Sequence, residues 1–170
     1  STNYVYSGRE NDRSSEGYSE YVDPFPLNVY GISKRTGEMI LHRYCDRFYN
    51  FRVAGLFGKT GSRAKNGLNF PYIVLKNLKE EKETKYVNDQ YMNVSYTVDL
   101  SEVISDIIKR YITNNVRKLK FATYNLTNKG QLTWYDLALE IAYIKNKENL
   151  VQYVSEKDFY RSDILIKKCK

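Results

Sequence analysis

Apolar and polar positions change their spacing several times along the chain, and each change marks an element. Ser1-Thr2-Asn3-Tyr4-Val5-Tyr6 is β-prone and predicts a strand end, followed from Ser7-Gly8 through Glu20 by a polar stretch without periodicity that reads as a long surface loop. Asp23-Pro24-Phe25-Pro26 is a rigid turn. From Asn28, the positions Ile32, Met39, Ile40, Tyr44 and Phe48 suit a helix running to about Tyr49. Phe51 to Phe57 reads as a buried strand stopped by Gly58, and Lys59 to Gly67 as a loop rich in lysine, arginine and glycine. Helical spacing returns over Phe70 to Leu78, Val98 to Ile112 and Trp134 to Ile144, with strands expected at Lys85 to Val87 and Lys120 to Leu126. Strands alternating with helices predict an α/β layer structure with mainly parallel pairing.

The composition, 42% hydrophobic and 28% charged over 170 residues, is that of a soluble globular chain with a real core. No apolar run approaches the roughly 20 residues of a membrane helix, and no secretory signal opens the chain, so a cytoplasmic location is expected. Cys45 and Cys169 are too few for a disulfide framework and read as free thiols; with His42 as the single histidine they leave no zinc motif, and no metal is expected. The net charge of +7 is spread among acids, as in Lys79-Glu80-Glu81-Lys82-Glu83, which argues for a solvated face and against nucleic acid. A basic surface still favours an anionic small substrate such as a nucleotide diphosphate.

Tyr30-Gly31-Ile32-Ser33-Lys34 puts a phenol and an ammonium four residues apart, on one helix face and one turn from each other. A fixed cation favours the phenolate form of a neighbouring phenol, which suits such a pair to proton transfer. In carbonyl reduction the tyrosine would protonate the oxygen while hydride arrives at carbon, and a hydroxyl such as that of Thr2 would orient the carbonyl. The spacing alone is weak, since Tyr72 with Lys76 and Tyr143 with Lys147 share it; both read as helix-surface pairs. What separates the first pair is its setting, Pro26-Leu27-Asn28-Val29-Tyr30-Gly31-Ile32-Ser33-Lys34-Arg35-Thr36-Gly37-Glu38.

That segment resembles the extended short-chain dehydrogenase/reductases, and within them the dTDP-4-dehydrorhamnose reductases. Ser1 through Gly8, Arg52 through Gly58, Asn88-Asp89-Gln90 and Thr133 through Ala138 support the resemblance in the same order. It implies the second half of a Rossmann-like NAD(P)-binding fold over residues 1–58, with the catalytic helix. Residues 59–170 would be mainly a small substrate-binding subdomain, with some segments returning to the Rossmann sheet. By the same resemblance Thr2, Tyr30 and Lys34 are the catalytic set, and Tyr30 and Lys34 also hold the cofactor, NADPH or NADH. Thr2, Asn3 and Gly55 would meet the sugar, and Asp89, Gln90 and Thr97 would belong to the rim or framework. The substrate implied is a nucleotide-linked 4-keto-deoxyhexose, and a homodimer is suggested.

Arg63 and Lys65, with Lys59, sit beside glycines in a loop that would suit the substrate's diphosphate. Arg52 reads at least as readily as a structural ion-pair former, Trp134 as a core anchor and His42 as structural or exposed. The chain departs from the family at Asn3, where an Asp is usual, at Gly55, where a Trp is frequent, and over Tyr91 through Ser95, which leaves the sugar open. No Gly-x-x-Gly-x-x-Gly loop occurs, so the chain reads as lacking an upstream half and is expected to oxidise NADPH negligibly alone. The rival readings are a non-catalytic subunit like the regulatory subunit of methionine adenosyltransferase, and an epimerase or dehydratase of the same superfamily.

Overall fold

The computed structural model describes residues 1–8, 17–61, 67–113 and 119–162. The chain divides into two units, one of residues 1–54 and 95–128 and the other of residues 55–94 and 129–170.

In the first unit Asn28 stands in extended backbone and its side chain accepts the Gly31 N–H at 2.8 Å, opening helix α1 (Val29–Tyr44). The helix stops short of the Tyr49 expected from periodicity. Tyr49 instead begins strand β1 (Tyr49–Arg52), whose backbone is committed to a parallel ladder with β6 (Ala122–Asn125) in the register Tyr49↔Ala122 to Arg52↔Asn125. The apolar run to Phe57 is likewise not one strand: Gly55 at φ +50° turns the chain before the two-residue strand β2 (Leu56–Phe57) of the other unit. The N-terminal residues contribute a single parallel bridge, Thr2 to Val53, and then wind into one 3-10 turn (Asn3–Val5) where a strand end was expected. Strand β5 (Ser95–Tyr96) leads into helix α3 (Thr97–Ile112), and Val5, Tyr6, Ala54 and Leu100 are buried.

α1 packs in an unusual way. Its buried residues are Gly31 and Glu38, while Ile32, Met39, Ile40 and Tyr44, the positions that define its pattern, are all exposed. An added Cβ on Gly31 would lie 2.2 Å from the Tyr4 carbonyl oxygen and 2.9 Å from the Pro26 Cβ, so only glycine lets the helix approach the 3-10 turn this closely.

In the second unit Asn69 caps helix α2 (Phe70–Lys79) and Pro71 sits in its first turn. Strand β3 (Thr84–Val87) pairs in parallel with β8 (Val151–Val154), and β4 (Tyr91–Met92) pairs antiparallel with β7 (Leu132–Thr133). Thr133 and Asp136 form a reciprocal capping box at the start of helix α4 (Trp134–Ile144). Ala138 and Ala142, four apart and fully buried, bring α4 against Val74, Leu78, Tyr86, Leu150 and Val151 in one core. Helix α5 (Glu156–Ser162) closes the described part, its first N–H bonded to Asp89 Oδ1 at 2.8 Å. The α/β fold with parallel strands is thus as expected. Among the described residues no helix is long and apolar enough to cross a membrane, and no three potential ligands gather for a metal.

Candidate active site

Tyr30 and Lys34 lie one turn apart on α1, and the Lys34 ammonium sits 5.6 Å from the centre of the Tyr30 ring. The phenol is open to solvent at 52% exposure, and Lys34 makes no ion pair with any described residue. Tyr4 meets the Tyr30 ring edge-on, 5.8 Å between centres and 79° between planes. Tyr4 belongs to the 3-10 turn that Thr2 caps, so the Gly31 contact and this ring contact together seat the first turn of α1 on the segment carrying Thr2.

Thr2 is 6% exposed and its hydroxyl is engaged locally, accepting the Tyr4 N–H at 3.3 Å and donating to Asn3 Oδ1 at 3.3 Å. Both contacts are long, and so weak, for hydrogen bonds of their kind. Its bridge to Val53, just past the end of β1, puts Thr2 at the carboxyl end of the parallel strands, the edge at which open α/β sheets bind ligands.

Two features were not legible beforehand. One is Glu38, four residues beyond Lys34, whose side chain is 1% exposed and takes a two-pronged bond from Arg52, Nε to Oε1 at 2.9 Å and Nη2 to Oε2 at 2.8 Å. Arg35 adds a contact of 3.2 Å. Burial alone would raise the Glu38 carboxyl; the hydrogen bonds from Arg52, Ser1 and Asn50 and the Arg52 charge override it and hold the group down at about 2. Burial likewise works against the Arg52 cation, and its bonds to Glu38 and Tyr6 reverse that and raise it. Arg52 is the ion-pair former its position suggested. The second feature is the continuation of this pair: Arg52 Nη1 donates to the Tyr6 hydroxyl at 2.9 Å, and Tyr6 donates to Asn125 Oδ1 at 2.8 Å.

The depressed carboxyl has a consequence for stability. Since Glu38 sits near 2 in the fold against an ordinary value of 4.5, its contribution is fully present above about pH 4.5 and is lost as the pH falls toward 2. That difference is worth roughly 3 kcal/mol. Urea midpoints of the protein measured between pH 6 and pH 3 should fall steeply, and Glu38→Gln should lower the midpoint at pH 6 while flattening the slope; an unaltered slope in the variant would contradict the assignment.

Of the remaining expected residues, Gly55 belongs to the second unit and needs its glycine, because a Cβ there would stand 2.8 Å from the Asn93 carbonyl oxygen as well as at positive φ. Arg63 and Lys65 lie outside the described residues, as does Cys169; Cys45 is free and exposed. Asp89 is taken up by the start of α5. His42 Nε2 lies 3.0 Å from Thr123 Oγ1, and Trp134 leans on Phe70 with ring centres 4.6 Å apart.

The two other Tyr/Lys pairs are occupied elsewhere. Tyr72 donates to the Lys59 carbonyl at 2.7 Å and Lys76 stands 3.9 Å from Glu80. Lys147 is not on a helix at all, a correction to the surface-pair reading: α4 ends at Ile144, and the Lys147 ammonium is spent on Glu81 and, at 2.9 Å, on the Leu78 carbonyl.

The profile of the RmlD substrate binding domain family matches residues 1–162. Over 139 residues the chain is 32% identical to dTDP-4-dehydrorhamnose reductase of Escherichia coli strain K12, covering 81% of this chain and 42% of that protein. It is 27% identical over 143 residues to methionine adenosyltransferase 2 subunit beta of Danio rerio, covering 84% of this chain and 41% of that one. A solved dTDP-4-dehydrorhamnose reductase of Bacillus anthracis strain Ames, in complex with NADP, superposes with a TM-score of 0.77 at 30% identity, over 94% of this chain and 50% of that structure. The chain spans about half the length of the relatives it matches.

Proposed function

The chain belongs to the RmlD substrate binding domain family, and on that premise we propose that it forms the proton-donating and substrate-receiving part of an NADPH-dependent reductase of a nucleotide-linked 4-keto-deoxyhexose. The observation that carries the reading is the exposed Tyr30 phenol with a Lys34 ammonium beside it that pairs with no other described residue. Relatives that carry the name dTDP-4-dehydrorhamnose reductase, one of them solved with NADP, support it.

The donor set fits the ribose end of a nicotinamide cofactor: an ammonium with three N–H groups and a phenol, both open to solvent, suit ribose hydroxyls. No Gly-rich loop for the cofactor's phosphates occurs in the 170 residues. When bound, NADPH supplies the hydride. Tyr30 gives its proton to the ketone oxygen, and the Lys34 charge steadies the phenolate that is left. Thr2 turns its hydroxyl from Asn3 Oδ1 to the same oxygen, an exchange made easy because the bond it gives up is long and weak at 3.3 Å. Asn3, in the turn that Thr2 caps, meets the sugar. In the same reading the enzyme works in the cytoplasm as a homodimer.

Likeness to the methionine adenosyltransferase subunit favours one other reading, a binding subunit without turnover. The full-length gene product, given NADPH and a dTDP-linked 4-keto-6-deoxyhexose, should lose absorbance at the nicotinamide band only when the ketone is present. Binding of the sugar nucleotide with no loss of NADPH would favour the subunit reading.

A further inference from the structure

Tyr30, Lys34 and Glu38 follow one another at intervals of four and make one ridge along α1. The first two are offered to solvent. The third is buried and held by Nε and Nη2 of Arg52, the last residue of β1. Arg52 passes the connection to the Tyr6 hydroxyl, and Tyr6 passes it to Asn125, the last residue of β6. Asn125 in turn donates its side-chain N–H to the Tyr18 carbonyl and its backbone N–H to Glu20 Oε1, each at 2.8 Å. An unbroken line of hydrogen bonds thus runs from the helix ridge, across the carboxyl ends of both strands, to Tyr18 and Glu20.

Stability alone does not account for such an arrangement. A buried ion pair recovers in attraction about what it loses in hydration, and a pair of well-packed apolar side chains is commonly as stable. What an apolar pair lacks is direction. The planar guanidinium meets a carboxylate in one orientation, and that fixes the rotation of the helix about its axis. Seven residues before Glu38, on the same buried face of α1, Gly31 is pressed against the Tyr4 carbonyl, which fixes how closely the helix approaches. Lys34 lies between the two anchors, and Tyr30 is next to the first.

We propose that the Glu38–Arg52–Tyr6–Asn125 line is a positioning device: it sets the rotation of α1 so that the Tyr30 hydroxyl and the Lys34 ammonium face the reacting ketone together, without itself touching substrate or cofactor. The inference rests on the reductase reading and deepens it. It assigns to four residues outside the catalytic set a share in turnover, through geometry to which proton transfer is sensitive.

The test uses the full-length gene product with NADPH and the keto sugar nucleotide, and compares wild type with Arg52→Met, with Glu38→Met and Arg52→Met combined, and with Tyr6→Phe. Arg52→Met alone takes the two-pronged partner from a buried carboxylate, leaving it only Arg35, Ser1 and Asn50, and should melt well below wild type. The combined variant removes both charges and should regain most of the lost melting temperature. Its kcat per folded molecule should nevertheless stay at least tenfold below wild type, with KM changed by less than about threefold. Tyr6→Phe keeps the ion pair, breaks the line at one hydroxyl and leaves Arg52 Nη1 and Asn125 Oδ1 without that partner, so the melting temperature should fall modestly, while kcat per folded molecule should drop threefold to tenfold.

A merely structural role predicts the opposite, with kcat returning wherever the melting temperature returns and Tyr6→Phe equal to wild type in kcat per folded molecule; that result would overturn the proposal. Should the combined variant fail to fold, Tyr6→Phe decides alone. If wild type turns over and Tyr30→Phe does not, while Tyr6→Phe and the combined variant match wild type, the positioning inference falls and the reductase reading stands. If wild type does not oxidise NADPH, both fall.

Discussion

Replacing Tyr30 by phenylalanine in the full-length gene product is expected to lower kcat by about a hundredfold or more while changing KM for the sugar nucleotide by less than about threefold. The substitution removes one oxygen and leaves the ring, so the edge-on contact with Tyr4 at 5.8 Å and the Lys34 ammonium at 5.6 Å over the ring both persist. Because the hydroxyl belongs to a half-exposed side chain, its loss leaves no buried group unpaired and the fold should be untouched. The effect therefore isolates chemistry from structure. Steady-state rates on the purified variant, with its melting temperature as a control, check it; unchanged turnover would remove Tyr30 from the mechanism.

Gly31→Ala should have the largest effect on the fold for the fewest atoms added. The new methyl would lie 2.2 Å from the Tyr4 carbonyl oxygen, and that neighbour is backbone, which has little room to yield. Overpacking of this kind costs about 1–3 kcal/mol and displaces the elements that meet. Here those elements are the helix carrying Tyr30 and the turn capped by Thr2, so melting temperature and kcat should fall together. The control lies in the same helix. Gly37 has nothing within 4 Å of an added Cβ, and Gly37→Ala should hold or raise stability, by up to about 1 kcal/mol from helix propensity. Equal melting temperatures for the two variants would contradict the close-approach account.

Local signals carried the helices well and the ends of strands poorly. α2, α3 and α4 fall where the spacing put them, each held by its own periodicity, and α2 and α4 also by an Asn or Thr cap. α1 overran because Phe48 continued the helical spacing, and spacing does not register that Tyr49 has a strand partner more than 70 residues away. Strand β8 and helix α5 were missed: Val151–Val154 is four residues long, and Ser155, whose hydroxyl accepts the Asp158 N–H, precedes only seven helical residues.

The site divides in the same way. Tyr30 and Lys34 were legible because a four-residue interval on one helix guarantees a shared face. The Glu38–Arg52 pair was not, since its members are 14 residues apart on different elements and an acid on a helix usually faces water. The signal that pointed toward it was an arginine at the head of an apolar run, where a charge has to find a partner. Nor did spacing show that α1 would bury a glycine and a glutamate while exposing Ile32, Met39, Ile40 and Tyr44. Its contacts are made by the absence of a side chain and by a charge, neither of which a hydrophobic pattern records.

Following the hydride tests the central claim most directly. The full-length gene product would be given NADPH deuterated at the transferable position of the nicotinamide, with a dTDP-linked 4-keto-6-deoxyhexose, and the product sugar examined by NMR. A reductase acting through Tyr30 and Lys34 predicts one deuterium on carbon 4 of each sugar formed, with one NADPH consumed. Unlabelled product, or an epimerised sugar formed without net loss of NADPH, would contradict it.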